Sequence, residues 1–311
     1  MNTNITSSDL NAQIPLIDLS PRDRPWDNHR LHATIVEGHY RSSSDYQTYA
    51  LRTSVCSLLL EFRQVLTEEE LRLILSDARF CRLRWCPVCQ WRKSLMWKSK
   101  AFKILPLVLE AYPKYRWLFI TFTIKNCEIT ELRSTLDHLN KSFKRFSLLK
   151  DFPAEGWLKT FEVTRGKDGS AHPHFHVLMI VKSTYFTTGY LSLPKWKILW
   201  QKSLRVDYPV QVDVKSLKDE GANFSAMLAE VIKYQVKELD LVTDRDWFLE
   251  LTKQMHKTRS ISSGGILKEY FKELEAEPED LIGELEGEEG ETLARLYFAW
   301  QQHCKQYRLV P

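Results

Sequence analysis

Histidines stand at alternate positions, 172, 174 and 176, at the head of His172-Pro173-His174-Phe175-His176-Val177-Leu178-Met179-Ile180. The run is rich in β-branched and aromatic residues and follows the turn material Gly166-Lys167-Asp168-Gly169-Ser170, so it reads as a strand. Alternate side chains of a strand share a face, which aims His174 and His176 the same way with β-carbons roughly 7 Å apart. Two imidazoles so placed can grip one metal ion. A lone histidine in a strand is usually a hydrogen-bonded core residue, but three of the chain's nine at alternate positions point to a ligand set. Trp157 to Thr164 reads as the preceding strand of a hairpin, and Glu162 is its only carboxylate. Two imidazoles and one carboxylate with open positions suit Mn²⁺ or Mg²⁺ engaged with phosphate better than a closed structural zinc site. His172 lies on the same face and is the outermost member of the set, placed to orient a ligand.

A second cluster is made of cysteines. Cys81, Cys86 and Cys89 stand as Cys-x4-Cys-x2-Cys, with Cys56 25 residues earlier; Cys127 and Cys304 are isolated. Closely spaced cysteines in a cytoplasmic chain bind metal more often than they form disulfides. Four thiolates would complete a tetrahedral structural zinc site, although Cys56 also reads as a small buried hydrophobe.

These groups must be held by a folded body. Tyr115 to Ile124 is expected as a central strand, Glu128 to Leu149 as an amphipathic helix, Leu193 to Leu204 as a second helix and Val210 to Val214 as another strand. Asn223 to Leu239 is expected as a third helix, with Phe224, Leu228, Val231, Ile232 and Leu239 buried. Glu230, Tyr234 and Lys237 then form a line along its open surface. Trp247 to Lys257 reads as a helix, Lys257 to Lys268 as a basic loop leading into a short helix, and Leu293 to Tyr307 as a final helix. This alternation implies a largely antiparallel sheet with helices packed on it, an α+β architecture. The expected organisation is a disordered or variable leader over 1–47, a cysteine-rich zinc-binding and basic helix region over 48–110, a domain carrying the histidine strand over 111–257 and a helical C-terminal region with an acidic segment over 258–311. Arg92 to Leu109, with Arg92, Lys93, Lys98, Lys100 and Lys103 around Trp91 and Trp97, is a candidate DNA-contacting helix.

His172 to Met179 resembles the His-hydrophobe-His motif of HUH endonucleases, in particular the rolling-circle replication initiators of small bacterial plasmids. Phe119-Ile120-Thr121-Phe122-Thr123-Ile124-Lys125-Asn126 resembles the apolar strand that precedes that motif in the family. Glu230-Val231-Ile232-Lys233-Tyr234-Gln235-Val236-Lys237 resembles its tyrosine motif, and the cysteine spacing is similar too. The resemblance covers most of residues 51–272 and implies an HUH-like sheet with Tyr234 as nucleophile. It also implies metal-dependent nicking of single-stranded or hairpin origin DNA, a 5′-phosphotyrosine intermediate, a 3′-OH primer, and water activated by Glu230 at termination; Lys237 is read as balancing charge at the tyrosine. Host helicase and DNA polymerase are the implied partners, and a homodimer is an open expectation.

Composition agrees with a polyanion-binding role. The 311 residues are 43% hydrophobic and 27% charged with a net charge of +4, and no apolar run approaches the roughly 20 residues that span a bilayer. Residues 269–291 hold eleven acids and one lysine, a net of −10, which leaves +14 on the rest. A basic body of that kind attracts nucleic acid. With no apolar signal core in the first thirty residues, a cytoplasmic location is expected. The other readings are a single-tyrosine transposase and a non-catalytic zinc-containing DNA-binding regulator; a relaxase is disfavoured because its tyrosine usually lies near the N-terminus.

Overall fold

The computed structural model describes residues 14–66, 70–216, 222–232, 235–272, 281–282 and 291–310. Its helices are α1 (Leu16–Leu19), α2 (Pro25–Arg41), α3 (Gln47–Ser54), α4 (Pro87–Ala111), α5 (Leu132–Ser147), α6 (Leu193–Leu204), α7 (Ala222–Val231), α8 (Glu238–Thr243), α9 (Arg245–Gln254) and α10 (Lys268–Phe271). Its strands are β1 (Leu59–Leu66), β2 (Leu71–Ala78), β3 (Tyr115–Thr123), β4 (Ala154–Arg165), β5 (Ala171–Lys182), β6 (Val212–Ser216), β7 (Ile261–Gly265), β8 (Glu291–Gln301) and β9 (Gln306–Val310). The chain divides into two compact units, residues 1–96 with 279–311 and residues 97–278. The fold class is α+β, with an antiparallel sheet in each unit.

The first unit carries a four-stranded sheet in the order β2-β1-β8-β9. Two expectations are corrected here. The leader is helical from Leu16: Pro25 sits in the first turn of α2, where its missing N–H costs nothing, and Trp26, Ala33, Val36 and Tyr40 bury one stripe of that helix. Residues 293–307 form strands rather than a helix. Leu296 and Phe298 are buried at two-residue spacing, and Lys305, in the left-handed region at φ 55°, completes the turn into β9. Those strands bring Tyr307 into the interior, where its hydroxyl donates to the Ser57 carbonyl at 2.6 Å and burial pushes the phenol's pKa up. The DNA-contacting expectation for the start of α4 also changes. Arg92 lies over the Trp26 and Trp91 rings and donates to the carbonyls of Leu281 and Ile282, and Lys93 is buried.

The second unit is built on a five-stranded sheet in the order β6-β3-β5-β4-β7. On one face Trp117 and Phe119 of β3, Leu178 and Ile180 of β5 and Leu158 of β4 pack with Trp97, Ala101, Leu105 and Val108 of α4, Leu228 and Val231 of α7, Ile232 and Phe271. The other face is aromatic: Phe122 is fully buried, 4.7 Å from the Trp200 ring of α6 and 5.3 Å from Phe146 of α5. Each such side chain contributes about 1.5–3 kcal/mol through burial, so the sheet is clamped from both sides.

The expected helix over 223–239 is two helices. α7 ends at Val231, Gln235 accepts the Val163 N–H through its carbonyl at 2.7 Å, and Val236 bridges Val163 in parallel. The free edge of β4 past its pairing with β7 takes the chain out of helical geometry, since a buried backbone N–H needs a partner. Leu239, expected inside, is 67% exposed, and the Phe224 side chain lies outside the described residues. The basic loop after Lys257 contains β7, which pairs Gly156–Thr160. Gly265 is positive at φ 59°, and a Cβ there would stand 2.1 Å from the Glu155 carbonyl oxygen. Gly265→Ala is therefore expected to cost about 2–4 kcal/mol. Chemical denaturation checks it, and a wild-type midpoint would contradict the docking of β7.

Candidate metal centres

Antiparallel pairing of β4 with β5 sets Glu162 directly opposite His174 and Thr160 opposite His176. On the other flank of β5, Thr121 of β3 is opposite His176. All three ligand candidates are buried, Glu162 at 3% exposure, His176 at 6% and His174 at 8%. Glu162 Oε2 lies 2.9 Å from His176 Nε2 and 3.3 Å from His174 Nε2. An octahedral ion with bonds of about 2.1 Å has neighbouring donors ~3.0 Å apart, so these spacings suit a small divalent cation replacing the proton shared by imidazole and carboxylate.

The histidines are oriented from behind. His174 Nδ1 lies 3.3 Å from the His172 carbonyl oxygen and His176 Nδ1 3.2 Å from Thr121 Oγ1; donation at Nδ1 leaves the Nε2 lone pairs for an ion. His176 also stacks on Phe119. The imidazole of His172 stays outside the cluster: its Nδ1 is 2.6 Å from Asn126 Oδ1, and Asn126 in turn donates to Ser170 Oγ at 2.9 Å. Burial, and after it the neighbouring His174, lowers the His172 pKa from its usual value.

Of the helical trio, Glu230 is half-buried near the end of α7. Lys237 is exposed, has left helical geometry and caps α8, so it does not share a helical face with Glu230. Tyr234 lies outside the described residues. Its described neighbours are fixed: the Val231 carbonyl accepts from Thr160 Oγ1 at 2.6 Å, and the Gln235 carbonyl from Val163 N–H at 2.7 Å. The chain before and after Tyr234 is thus bonded to β4 on either side of Glu162.

The cysteine centre unites all four expected residues. Cys56 follows α3, Cys81 follows β2, and Cys86 and Cys89 lie at the start of α4; all are free thiols and buried. Sγ separations are 3.7 Å for Cys56–Cys89, 3.6 Å for Cys81–Cys89 and 3.7 Å for Cys56–Cys86. A tetrahedral ion with metal–sulfur bonds of about 2.3 Å requires edges of ~3.8 Å, so the set fits one. Backbone N–H groups of Cys81 and Arg82 donate to the sulfurs of Cys56 and Cys89 at 3.4 and 3.3 Å. Hydrogen bonds from the other three thiols hold Cys81 well below the usual thiol range, while burial pushes Cys86 well above it.

The sequence pattern of the Rep_1 family, Replication protein, matches residues 72–308. The chain belongs to that family. Similar relatives include "Protein rep" of Streptococcus pneumoniae, 32% identical over 84% of this chain and 83% of the relative, and "Protein rep" of Lactiplantibacillus plantarum, 36% identical over 71% and 74%. "Protein rep" of Bacillus amyloliquefaciens is 30% identical over 87% and 88%. No solved structure matches the chain. As a member of the replication-protein family it is a plasmid replication initiator, and among its described residues no helix is long and apolar enough to cross a membrane.

Sequence reasoning named Glu162, His174 and His176 as candidates but gave no role to Thr121 or Asn126, because the register of β3 against β5 decides which side chains meet. Thr121→Val is expected to weaken Mn²⁺ binding about ten- to hundredfold by freeing His176, read by calorimetric titration; unchanged affinity would remove Thr121 from that role. Elemental analysis is expected to find about one tightly held metal ion per chain that is lost when Cys86 and Cys89 are both changed to Ser. Full retention in that variant would contradict the four-thiolate site.

Proposed function

We propose that this replication initiator nicks and rejoins one strand of plasmid origin DNA to start rolling-circle replication, with Tyr234 as nucleophile. The observation that carries the reading is the buried Glu162–His174–His176 set on a sheet whose β4 holds the chain on both sides of Tyr234. Membership of the replication-protein family supports it.

Glu162, His174 and His176 would hold Mn²⁺ or Mg²⁺, whose chemistry is to neutralise charge on a non-bridging phosphate oxygen. The chain's own groups do the rest. The Tyr234 phenol, with an unperturbed pKa near 10, gives up its proton and its oxygen attacks phosphorus in line. The Tyr234 O–P bond forms as the bond to the 3′-oxygen breaks, and that oxygen takes up a proton and leaves as a 3′-OH. One phosphoester replaces another, so no ATP is consumed. The free 3′-OH primes a host polymerase while a host helicase opens the duplex. At the end of the cycle Glu230 takes a proton from water, whose oxygen attacks the regenerated origin phosphodiester, so this second cleavage adds no linkage to the protein; the 3′-OH it frees then attacks the phosphotyrosine, rejoining the strand as the Tyr234 O–P bond breaks and the phenol regains its proton. Lys237 balances charge on the DNA beside the tyrosine. Cys56, Cys81, Cys86 and Cys89 would hold a structural Zn²⁺, which would tie α3, β2 and the start of α4 together and take no part in the chemistry.

Covalent attachment to a single-stranded origin oligonucleotide in Mn²⁺ separates this reading from a regulator, which would bind without attaching. Tyr234→Phe is expected to bind the oligonucleotide and form no adduct, as read on a denaturing gel; an adduct on that variant would exclude Tyr234. Glu230→Ala is expected to form the adduct and fail at hydrolytic release, whereas loss of the first cleavage would mean that Glu230 acts earlier.

A further inference from the structure

Lys159 stands among Trp157, Leu158, Phe161 and Val163 in β4, on the sheet face opposite Glu162. The residue is 7% exposed, and its ammonium donates to Asn140 Oδ1 at 2.6 Å and lies 3.9 Å from the centroid of the Phe175 ring and 5.1 Å from that of Phe143. An ammonium has three donors, and among the described residues the Asn140 oxygen is the one hydrogen-bond acceptor it meets. Among the described residues no carboxylate lies within ion-pair distance of it, and burial alone pushes its pKa down to about 7. A cation kept in such a place at the cost of desolvation needs a reason.

The cavity above it supplies one. It measures about 260 Å³ and opens between α5 and the segment entering β7. Arg133, Lys257 and Arg259 line it with Lys159, against the single carboxylate of Asp137, and Thr258, Ser260 and Ser262 add polar side chains. Arg133 and Asp137 face it from α5, Lys257 and Arg259 from the segment before β7. Lys257 adopts a left-handed backbone at φ 55°, a conformation that costs energy for any side chain but glycine. Four cations around a space of this size, one of them on the floor over an aromatic ring, suit a compact anion with several acceptor oxygens.

We propose that this cavity is an anion site apart from both metal centres, holding one phosphate group of a nucleotide. The phosphate comes either from the backbone of single-stranded DNA, which rests on the proposed function, or from a free nucleotide, which does not. A phosphate seated there stabilises the charged form of Lys159 and gives its remaining donors acceptors.

The test uses the full chain in EDTA, so that no cleavage is involved, with two probes: a labelled short oligothymidylate read by anisotropy and 5′-dTMP read by calorimetry. Lys159→Met, which keeps the shape and removes the charge, is expected to weaken at least one probe about tenfold or more. Arg259→Gln, at the exposed rim, is expected to weaken the same probe about threefold and guards against a folding defect in the first variant. Loss confined to the oligonucleotide assigns the site to a DNA backbone phosphate, and loss confined to dTMP assigns it to a free nucleotide. A wild-type protein that binds neither probe, or variants that bind both with wild-type affinity, overturns the site. A chain that never cleaves DNA can still pass, so this outcome and that of the cleavage assay are independent.

Discussion

The second unit is arranged around one carboxylate. Glu162 is buried at 3% exposure, and an isolated carboxylate there would cost several kcal/mol. Two imidazoles from the adjacent strand meet the same oxygen, Oε2, and the strand pairing brings them there. A slip of one residue between β4 and β5 would turn Glu162 away from His174 and His176 and leave all three unpaired inside the protein. The register is held by aromatic packing on one face, by mixed aliphatic and aromatic packing on the other, and by the turn at Gly166–Ser170, where Asp168 accepts from the Ser170 hydroxyl at 2.6 Å. The geometry of this candidate metal centre is thus a consequence of core packing.

The same sheet separates two polar sites. One face turns acid and imidazole inward beneath α7, and the other sets Lys159 under α5 and the entry to β7. Alternation along β4 makes this possible, since Thr160 and Glu162 point one way and Lys159 and Phe161 the other. Arg165 anchors the end of the strand: its guanidinium pairs with Asp244 at 2.7 Å, and the Asp244 side chain caps α9 by accepting from the Asp246 and Trp247 N–H groups. Hydrogen bonds from the Trp247 backbone and from Arg165 keep the Asp244 carboxyl below its usual range.

Much of the second unit was legible because its signals are local. Two-residue alternation identified the histidine strand and its acid, and a Ser-Leu-Pro start placed α6 over Leu193–Leu204. The failures are non-local. A helical reading of 223–239 is reasonable on propensity, yet the unpaired Val163 N–H, some seventy residues away in sequence, takes the Gln235 carbonyl. Residues 293–307 carry apolar positions that fit either period, and their pairing with β1 and β9 decided for strands. The helical leader was hidden because Trp26 finds partners far along the chain, among them Phe80, Trp91 and Tyr307. Spacing grouped Cys81, Cys86 and Cys89 and offered Cys56 as the fourth member, and α3 and β2 bring all four together. Lys159 passed unnoticed, though one lysine within an apolar strand was a signal available without coordinates.

The most direct test of the account is the position of a divalent cation. Anomalous diffraction from crystals soaked in Mn²⁺ should give a peak roughly 2.0–2.3 Å from Glu162 Oε2, His174 Nε2 and His176 Nε2 together. A peak elsewhere, or full soaking with the imidazoles still hydrogen-bonded to Glu162 and no density between them, would contradict it.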